Sequence, residues 1–537
     1  MKKNITKLLL IIMVMSFTSC YDDKSTLDTD ALPELTVDLG IEGDKIKVGF
    51  NEELDLNPTI LKDGKEVSDG FDYEWSMTSI PNELGFESIS NEKNLKFVVD
   101  RPIANDQYVL KLICKDLNTN FEYINYWMVQ VSSSYGEGIL VSYTDDGATS
   151  DIALIMDKGI TDGYTKDALV RKDLYEMTNN TKMPGLVSSS SFTLQSSKTP
   201  TYWFVFKDGN FISLDCEAYR DNDVEMIYKP NGFKAYNIFN CHQSMIMFAN
   251  TGLFKMSKML DKAPTVPAMT IEKGGEASNN VYSSDSYDQG AGPNLMWYNE
   301  AQSSFFAASA FQMTPTQFES TSSSSLFDCA NLPNKESIAG GLSYDGQKPT
   351  FLMKDKITGN YGIYSVTRSY YGDDYKFFAS EPYALVDVPE SVNVILNSAV
   401  SIFFVEDQSV MYIATETDIY TLNFISSPAT FNSTPVYSVA SGETIAIAKL
   451  YQQGTYLENR SGFAGIGGLA VGTKPKQELT NRAIYFATNT TNGKGKVYII
   501  PMIKNLVTTG ALDTNNITTY DDFSKILDIS TQGIYIP

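Results

Sequence analysis

The sequence predicts an all-β protein, an immunoglobulin-like sandwich followed by a β-propeller-like domain of about seven blades. Three observations predict it. Between Pro33 and Ser134, strand-length runs alternate apolar and polar residues, which places one face of each in a core and the other in water. After Ser132-Ser133-Ser134 the pattern changes to an apolar strand, a Gly/Asn/Asp turn and a second strand. Such units recur about seven times at intervals of roughly 40 to 70 residues, and a lone hairpin cannot bury its own apolar face, so they pack radially as a propeller or, as the alternative, into a second set of sandwiches.

In the first region the runs are Glu34–Leu39, Lys45–Val48, Glu53–Leu56, Phe71–Trp75, Leu95–Val99, Tyr108–Cys114 and Tyr123–Val131, with a turn at Lys62-Asp63-Gly64-Lys65. About seven short strands in about 100 residues is the pattern of a sandwich. In the second region the hairpins pair Gly138–Tyr143 with Asp151–Met156, Tyr202–Phe206 with Phe211–Leu214, and Ser244–Phe248 with Leu253–Met256. They continue as Leu295–Tyr298 with Ser304–Phe306, Thr350–Met353 with Tyr361–Tyr364, Val410–Ile413 with Asp418–Leu422, and Ala483–Ala487 with Lys496–Ile500. Neither a Trp-Asp nor a kelch signature accompanies them.

The N-terminus predicts export. Lys2, Lys3 and Lys7 flank the apolar run Leu8–Val14, which is too short for a spanning helix of about 20 residues. Phe17-Thr18-Ser19-Cys20 resembles the bacterial lipobox, in which the cysteine receives a diacylglycerol and becomes the mature N-terminus. The predicted organisation is a signal peptide over 1–19, a lipidated Cys20 with its tether over 20–32, the sandwich over 33–134 and the propeller-like domain over 135–537. Tyr21-Asp22-Asp23 resembles the acidic signal that sends Bacteroidetes lipoproteins to the outer face of the outer membrane. A periplasm-facing lipoprotein is the alternative. Several acyl chains on one residue give stable anchoring, at about 0.8 kcal/mol per buried methylene.

The formal charge is −23, and loss of the three leader lysines makes the mature chain more acidic still. That argues against nucleic acid and anionic membrane surfaces as partners, since both need a basic footprint. His242 is the single histidine, which disfavours histidine-based catalysis and histidine-bound zinc. Cys114, Cys216, Cys241 and Cys329 lack metal-ligand spacing and read as buried thiols, with Cys216–Cys241 the least remote pair for a disulfide.

In the sandwich, Tyr73-x-Trp75 and Tyr108-Val109-Leu110-Lys111-Leu112-x-x-x-Asp116 resemble the PKD-like domains of bacterial surface proteins. Ser-Met-Thr-Ser follows Trp75 in place of the Asp-Phe-Gly-Asp run of true PKD repeats, so the likeness is to the looser PKD-like lipoprotein family of Bacteroidetes. That resemblance implies SusC/SusD-type TonB-dependent transporters as partners and a role in delivering glycan or oligopeptide.

Candidate chemistry is sparse. Ser461–Gly468 is glycine-rich but lacks the ordered Lys-Ser/Thr and the βαβ context of a phosphate loop. Asp221-x-Asp223-x-Glu225 leaves a structural calcium open, without the glycine and terminal Glu of an EF-hand. No cofactor and no catalytic residue is expected. The candidate ligand-binding residues are Tyr370, Tyr371 and Tyr375 in an acidic, glycine-containing loop, together with Trp297 and Tyr298, for which packing on a strand is the competing role. The expectation is a non-enzymatic, surface-exposed lipoprotein that captures nutrient or supports an uptake complex. The alternatives are a carboxylate-dependent glycoside hydrolase or lyase on the propeller, and an adhesin.

Overall fold

The computed structural model describes residues 34–536 apart from 100–107, 258–265, 270–281, 284–294, 309–315, 368–380, 460–468, 472–477 and several stretches of five residues or fewer. The chain is all-β and divides into two compact units, Met1–Ser132 and Ser133–Pro537.

In unit 1 a five-stranded sheet runs in the order Lys45–Gly49, Glu122–Ser132, Tyr108–Asp116, Phe71–Ser79, Glu87–Ser90. Leu35–Asp38, Thr59–Lys62 and Lys65–Glu66 form a second sheet, and Glu53–Leu56 pairs with Leu95–Val98. The strand Tyr108–Asp116 alternates buried and half-buried residues along its whole length, as the sequence period of two requires. Its inward face supplies Leu110, Leu112 and Cys114 to a core centred on Trp75. Trp75 stacks at a tilt on Trp127, with ring centroids 6.0 Å apart, and its indole N–H donates to the Glu92 carbonyl at 3.0 Å. A buried Trp needs such an outlet for its one donor. Asp116 ends the strand by accepting from the Asn118 and Thr119 amides and pairing with Lys62 at 2.7 Å.

Unit 2 contains seven successive meander sheets among the described residues. The first joins Gly138–Thr144, Asp151–Met156 and Leu169–Arg171 to Lys525–Gln532 from the far end of the chain. The second is Val187–Leu194, Pro200–Phe206, Phe211–Asp215, and the third Ala235–Cys241, Ser244–Ala249, Gly252–Ser257, Val266–Met269. The fourth is Tyr282–Ser283, Leu295–Asn299, Ser304–Ala308, Thr316–Gln317. The fifth is Lys335–Ser343, Lys348–Asp355, Tyr361–Val366, Pro382–Asp387. The sixth is Ser401–Phe404, Val410–Ala414, Asp418–Asn423 with Thr430–Phe431, and the seventh Glu443–Leu450, Ala483–Thr490, Gly495–Pro501, Thr518–Phe523. The seven hairpins read from the sequence are the second and third strands of these sheets. With Lys525–Gln532 counted as the first strand of the first sheet, the first strands touch in sequence and the seventh returns to the first. The order is therefore cyclic.

Most sheets are sandwiched between neighbours. Ile139, Val141, Tyr485 and Ile499 share a core between the seventh and first sheets, and similar clusters fill the contacts of the second to seventh. Burial on both faces explains the continuous apolar runs of the second and third strands, of which Gly138–Thr144, Asp151–Met156 and Tyr361–Val366 are buried at every residue. Between the first and second sheets the contacts include a polar network. Ser190 Oγ donates to Asp528 Oδ2 at 2.6 Å and lies 2.7 Å from Ser530 Oγ, and Tyr202 O–H donates to the Thr531 carbonyl. Lys449 of the seventh sheet donates to Asp528 Oδ1 at 2.9 Å, so this carboxylate ties three sheets together.

The two strand residues expected to meet ligand are core residues. Trp297 is 3 % exposed and Tyr298 2 %. They alternate along Leu295–Asn299, so Trp297 packs toward the third sheet on Phe248 and Tyr298 toward the fifth, among Phe305 and Phe351. The Tyr298 hydroxyl donates to the Leu332 carbonyl at 2.5 Å. Neither ring presents a face to solvent.

Candidate functional site

In every four-stranded meander the first-to-second and third-to-fourth connections leave from one end, and the tight second-to-third turns from the other. The first of these ends, in the fifth to seventh sheets, gathers described residues into a continuous rim. Tyr344 follows the first strand of the fifth sheet, in the left-handed region at φ 62°. Its amide donates to the Gln408 carbonyl in the sixth sheet at 3.1 Å. Its ring meets Tyr383 edge-on at 5.0 Å and Phe424 at 5.6 Å, so one side chain joins the two sheets. A non-glycine residue at positive φ is uncommon and is held there only by its surroundings.

Tyr383 is the second residue of the fourth strand of the fifth sheet and remains 45 % exposed. Lys348 Nζ stands 5.0 Å from its ring centroid and pairs with Asp345 Oδ2 at 3.1 Å. Around the rim, Arg482 grips Asp407 through two hydrogen bonds of 2.9 and 2.6 Å, and Asn481 Nδ2 donates to Glu406 Oε2 at 3.1 Å. The Asn481 side-chain oxygen Oδ1 is buried and has no hydrogen-bond partner among the described residues, a costly state for an amide oxygen. Bidentate pairing holds the guanidinium at a fixed angle. The rim thus offers an exposed aromatic edge beside donors and acceptors whose positions are set by the sheets.

Tyr370, Tyr371 and Tyr375 fall in the connection between Tyr361–Val366 and Pro382–Asp387 and lie outside the described residues. The base of that connection is at the same end, where the Thr367 amide donates to the Glu381 carbonyl at 2.9 Å. Cys20, His242, Asp223, Glu225 and Ser461–Gly468 also lie outside the described residues. Burial pushes the thiols of Cys114 and Cys329 up to about 12, which keeps both protonated and unreactive.

A second acidic constellation sits at the opposite end of the first sheet. Carboxylate oxygens of Asp151, Asp173 and Glu176 lie within 4.8 Å of one another. Asp151 is buried, and its oxygens accept from the amides of Ile152, Tyr175 and Glu176 at 2.7, 3.0 and 3.2 Å. It therefore caps the short helix Leu174–Asn179. Burial raises its carboxyl to about 6 even against those three donors. Tyr143 donates to Asp173 Oδ1 at 2.5 Å. The Asp151 and Asp173 oxygens are engaged by the protein, Glu176 is exposed, and the arrangement by itself does not identify a metal. Neither is visible in the sequence: the rim joins three sheets far apart in the chain, and the cluster forms only where the helix Leu174–Asn179 folds back onto the start of the strand Asp151–Met156.

Comparison with known proteins adds the following. Residues 20–186 match the PKD-like family. The match covers unit 1 from Cys20 onward and runs on through the first hairpin of unit 2 to Leu186. No curated protein matches the chain. Among solved structures, it is similar to apo AztD from Citrobacter koseri at 10% identity and a TM-score of 0.33, covering 86% of this chain and 98% of that one. It is similar to Hsv2 from Kluyvelomyces marxianus at 8% identity and 0.29, covering 75% and 100%. The extracellular domain of BT4673 from B. thetaiotaomicron gives 9% identity and 0.32, covering 87% and 79%. At these scores none of the three carries an argument about this chain. Among the described residues, no helix is long and apolar enough to cross a membrane.

Proposed function

We propose that this chain is an exported lipoprotein, anchored through Cys20 on the outward face of the outer membrane, that captures a nutrient without chemically altering it. In this reading unit 1 is a spacer and unit 2 a seven-bladed propeller whose rim is the binding face. The nutrient is a glycan or an oligopeptide, passed to a SusC/SusD-type TonB-dependent transporter. The observation that carries the binding role is the rim itself: the half-exposed Tyr383 ring stands beside the Asp345–Lys348 pair, with the Asp407–Arg482 pair farther along. An aromatic body with polar groups at its edge suits a ligand with both apolar and hydrogen-bonding faces. The cyclic strand order supports the propeller, and the leader and lipobox residues support the anchor.

The test begins with detergent-solubilised protein from its native membrane. The expected result is co-purification with a transporter, retention of glycan or peptide by the pure protein, and no release of reducing ends or new termini. Turnover that is lost on replacing one carboxylate would show an enzyme instead.

A further inference from the structure

The end of unit 1 at which Glu34 lies exposes apolar side chains at a turn, in addition to Tyr126 and Val98 on strands of the unit. Leu35 pairs with Lys62, and Glu34 and Asp63 bond reciprocally, the Glu34 amide to Asp63 Oδ1 at 3.1 Å and the Asp63 amide to the Glu34 carbonyl at 2.9 Å. Lys62 in turn binds Asp116 at 2.7 Å. Asp116 opens the turn between Tyr108–Asp116 and Glu122–Ser132, closed by its own amide bonding to the Phe121 carbonyl. The two sides of that turn carry Leu117, 53 % exposed, and Phe121, 46 % exposed. Ile124 continues the apolar stripe along the outer face. The strand Glu122–Ser132 then leads away from the turn, so the chain leaves unit 1 at the opposite end.

We infer that Leu117 and Phe121 rest in the interfacial layer of the membrane that holds the Cys20 lipid. The inference rests on the proposed anchor. Cys20 precedes Glu34 by fourteen residues, a length of chain that can reach at most about 50 Å. A lipid at Cys20 thus keeps this end of unit 1 near the bilayer, while the other end points along the onward chain. Charge does not drive the contact: Lys62 is committed to Asp116, Lys65 stands among Asp63 and Glu66, and Lys115 has Glu122 and Asp72 as its partners across the ladder. An apolar tip without a basic excess enters the headgroup boundary by burying surface, and added salt does not weaken it.

The test uses the full-length lipidated protein on vesicles of phosphatidylethanolamine and phosphatidylglycerol doped with brominated phosphatidylcholine. All four native Trp residues are buried, so they provide a constant background. Phe121→Trp and Leu117→Trp place reporters at the turn, and Ser79→Trp places one at the far end of the strand Phe71–Ser79. The expected result is flotation of all three with the vesicles, and bromolipid quenching with a blue shift for the two turn variants alone, unchanged at high salt. Flotation without quenching at the turn overturns the membrane contact and leaves the anchor standing, and it directs the apolar tip to a protein partner. Failure to float overturns the anchor and the contact with it.

Discussion

Ser190 Oγ donates to Asp528 Oδ2 across 2.6 Å, although the two residues are separated by 338 positions in sequence. The same carboxylate accepts from Lys449, and residue 528 itself is 1 % exposed. A buried carboxylate with a cation and a hydroxyl pointing at it is satisfied, and its removal leaves Lys449 only the Ile529 carbonyl and Ser190 only the Ser530 hydroxyl. Asp528→Ala is therefore expected to lower stability by about 2 kcal/mol, toward the low end for such pairs because Lys449 keeps some access to water. Asp528→Asn is expected to recover part of that loss. Urea denaturation of the three proteins, followed by tyrosine and tryptophan fluorescence, checks the order.

Trp297 gives a second expectation. Its ring packs against Phe248 at 5.5 Å and Phe306 at 5.9 Å inside the contact of the third and fourth sheets. Trp297→Ala is expected to cost about 3–5 kcal/mol through the cavity it leaves. Thermal unfolding reads the loss, and a midpoint equal to that of the wild type would place the ring at the surface after all.

Tyr383 is the contrasting case. Being half-exposed, its replacement by Ala is expected to change stability by only about 0.5 kcal/mol. Retention of captured glycan or peptide is expected to weaken by roughly tenfold, or about 1.4 kcal/mol. Binding measured alongside the unfolding midpoint separates the two effects.

Asp151 gives the molecule a pH dependence with a definite sign. Burial raises its carboxyl to about 6 in the folded state, above the ordinary aspartate value, so between about pH 4 and 6 the folded chain holds a proton that the unfolded chain has released. This group's contribution to stability is then greatest below about pH 4, falls as pH rises through 6, and is level above it. Asp151→Asn keeps an acceptor for the helix amides and is expected to flatten that part of the profile. Unfolding midpoints of both proteins across pH 4 to 7 give the comparison.

Gly510 sits at φ 70°, and a Cβ there would lie 2.8 Å from Val410 Cγ1 and 2.9 Å from Thr421 Cγ2. Its carbonyl also accepts from the buried Tyr412 hydroxyl at 2.7 Å. Gly510→Ala is expected to cost about 1–3 kcal/mol, from the left-handed backbone and the crowding together. Differential scanning calorimetry measures it, and an unchanged midpoint would show that the turn can open without cost.

Much of this architecture is legible in the amino-acid order because it is local. The hairpin Tyr361–Tyr364 with Thr350–Met353 announces itself by two apolar runs and a Thr-Gly-Asn turn, and Trp75 and Leu112 declare a core by alternation. The acidic, histidine-poor composition likewise follows from counting. First strands were harder to see. Val187–Leu194 is four serines in a row flanked by a few apolar residues, and only the neighbouring sheets make it a strand. That Lys525–Gln532 belongs beside Gly138–Thr144 is a pairing between chain ends, and no periodicity within either segment encodes its partner. Tertiary structure also decided the fate of the aromatics: Trp297 and Tyr383 are similar on paper, but one lies on a strand covered on both faces and the other at an open end. Burial on two faces is a property of neighbouring sheets, so it was settled only when the cyclic order brought them together.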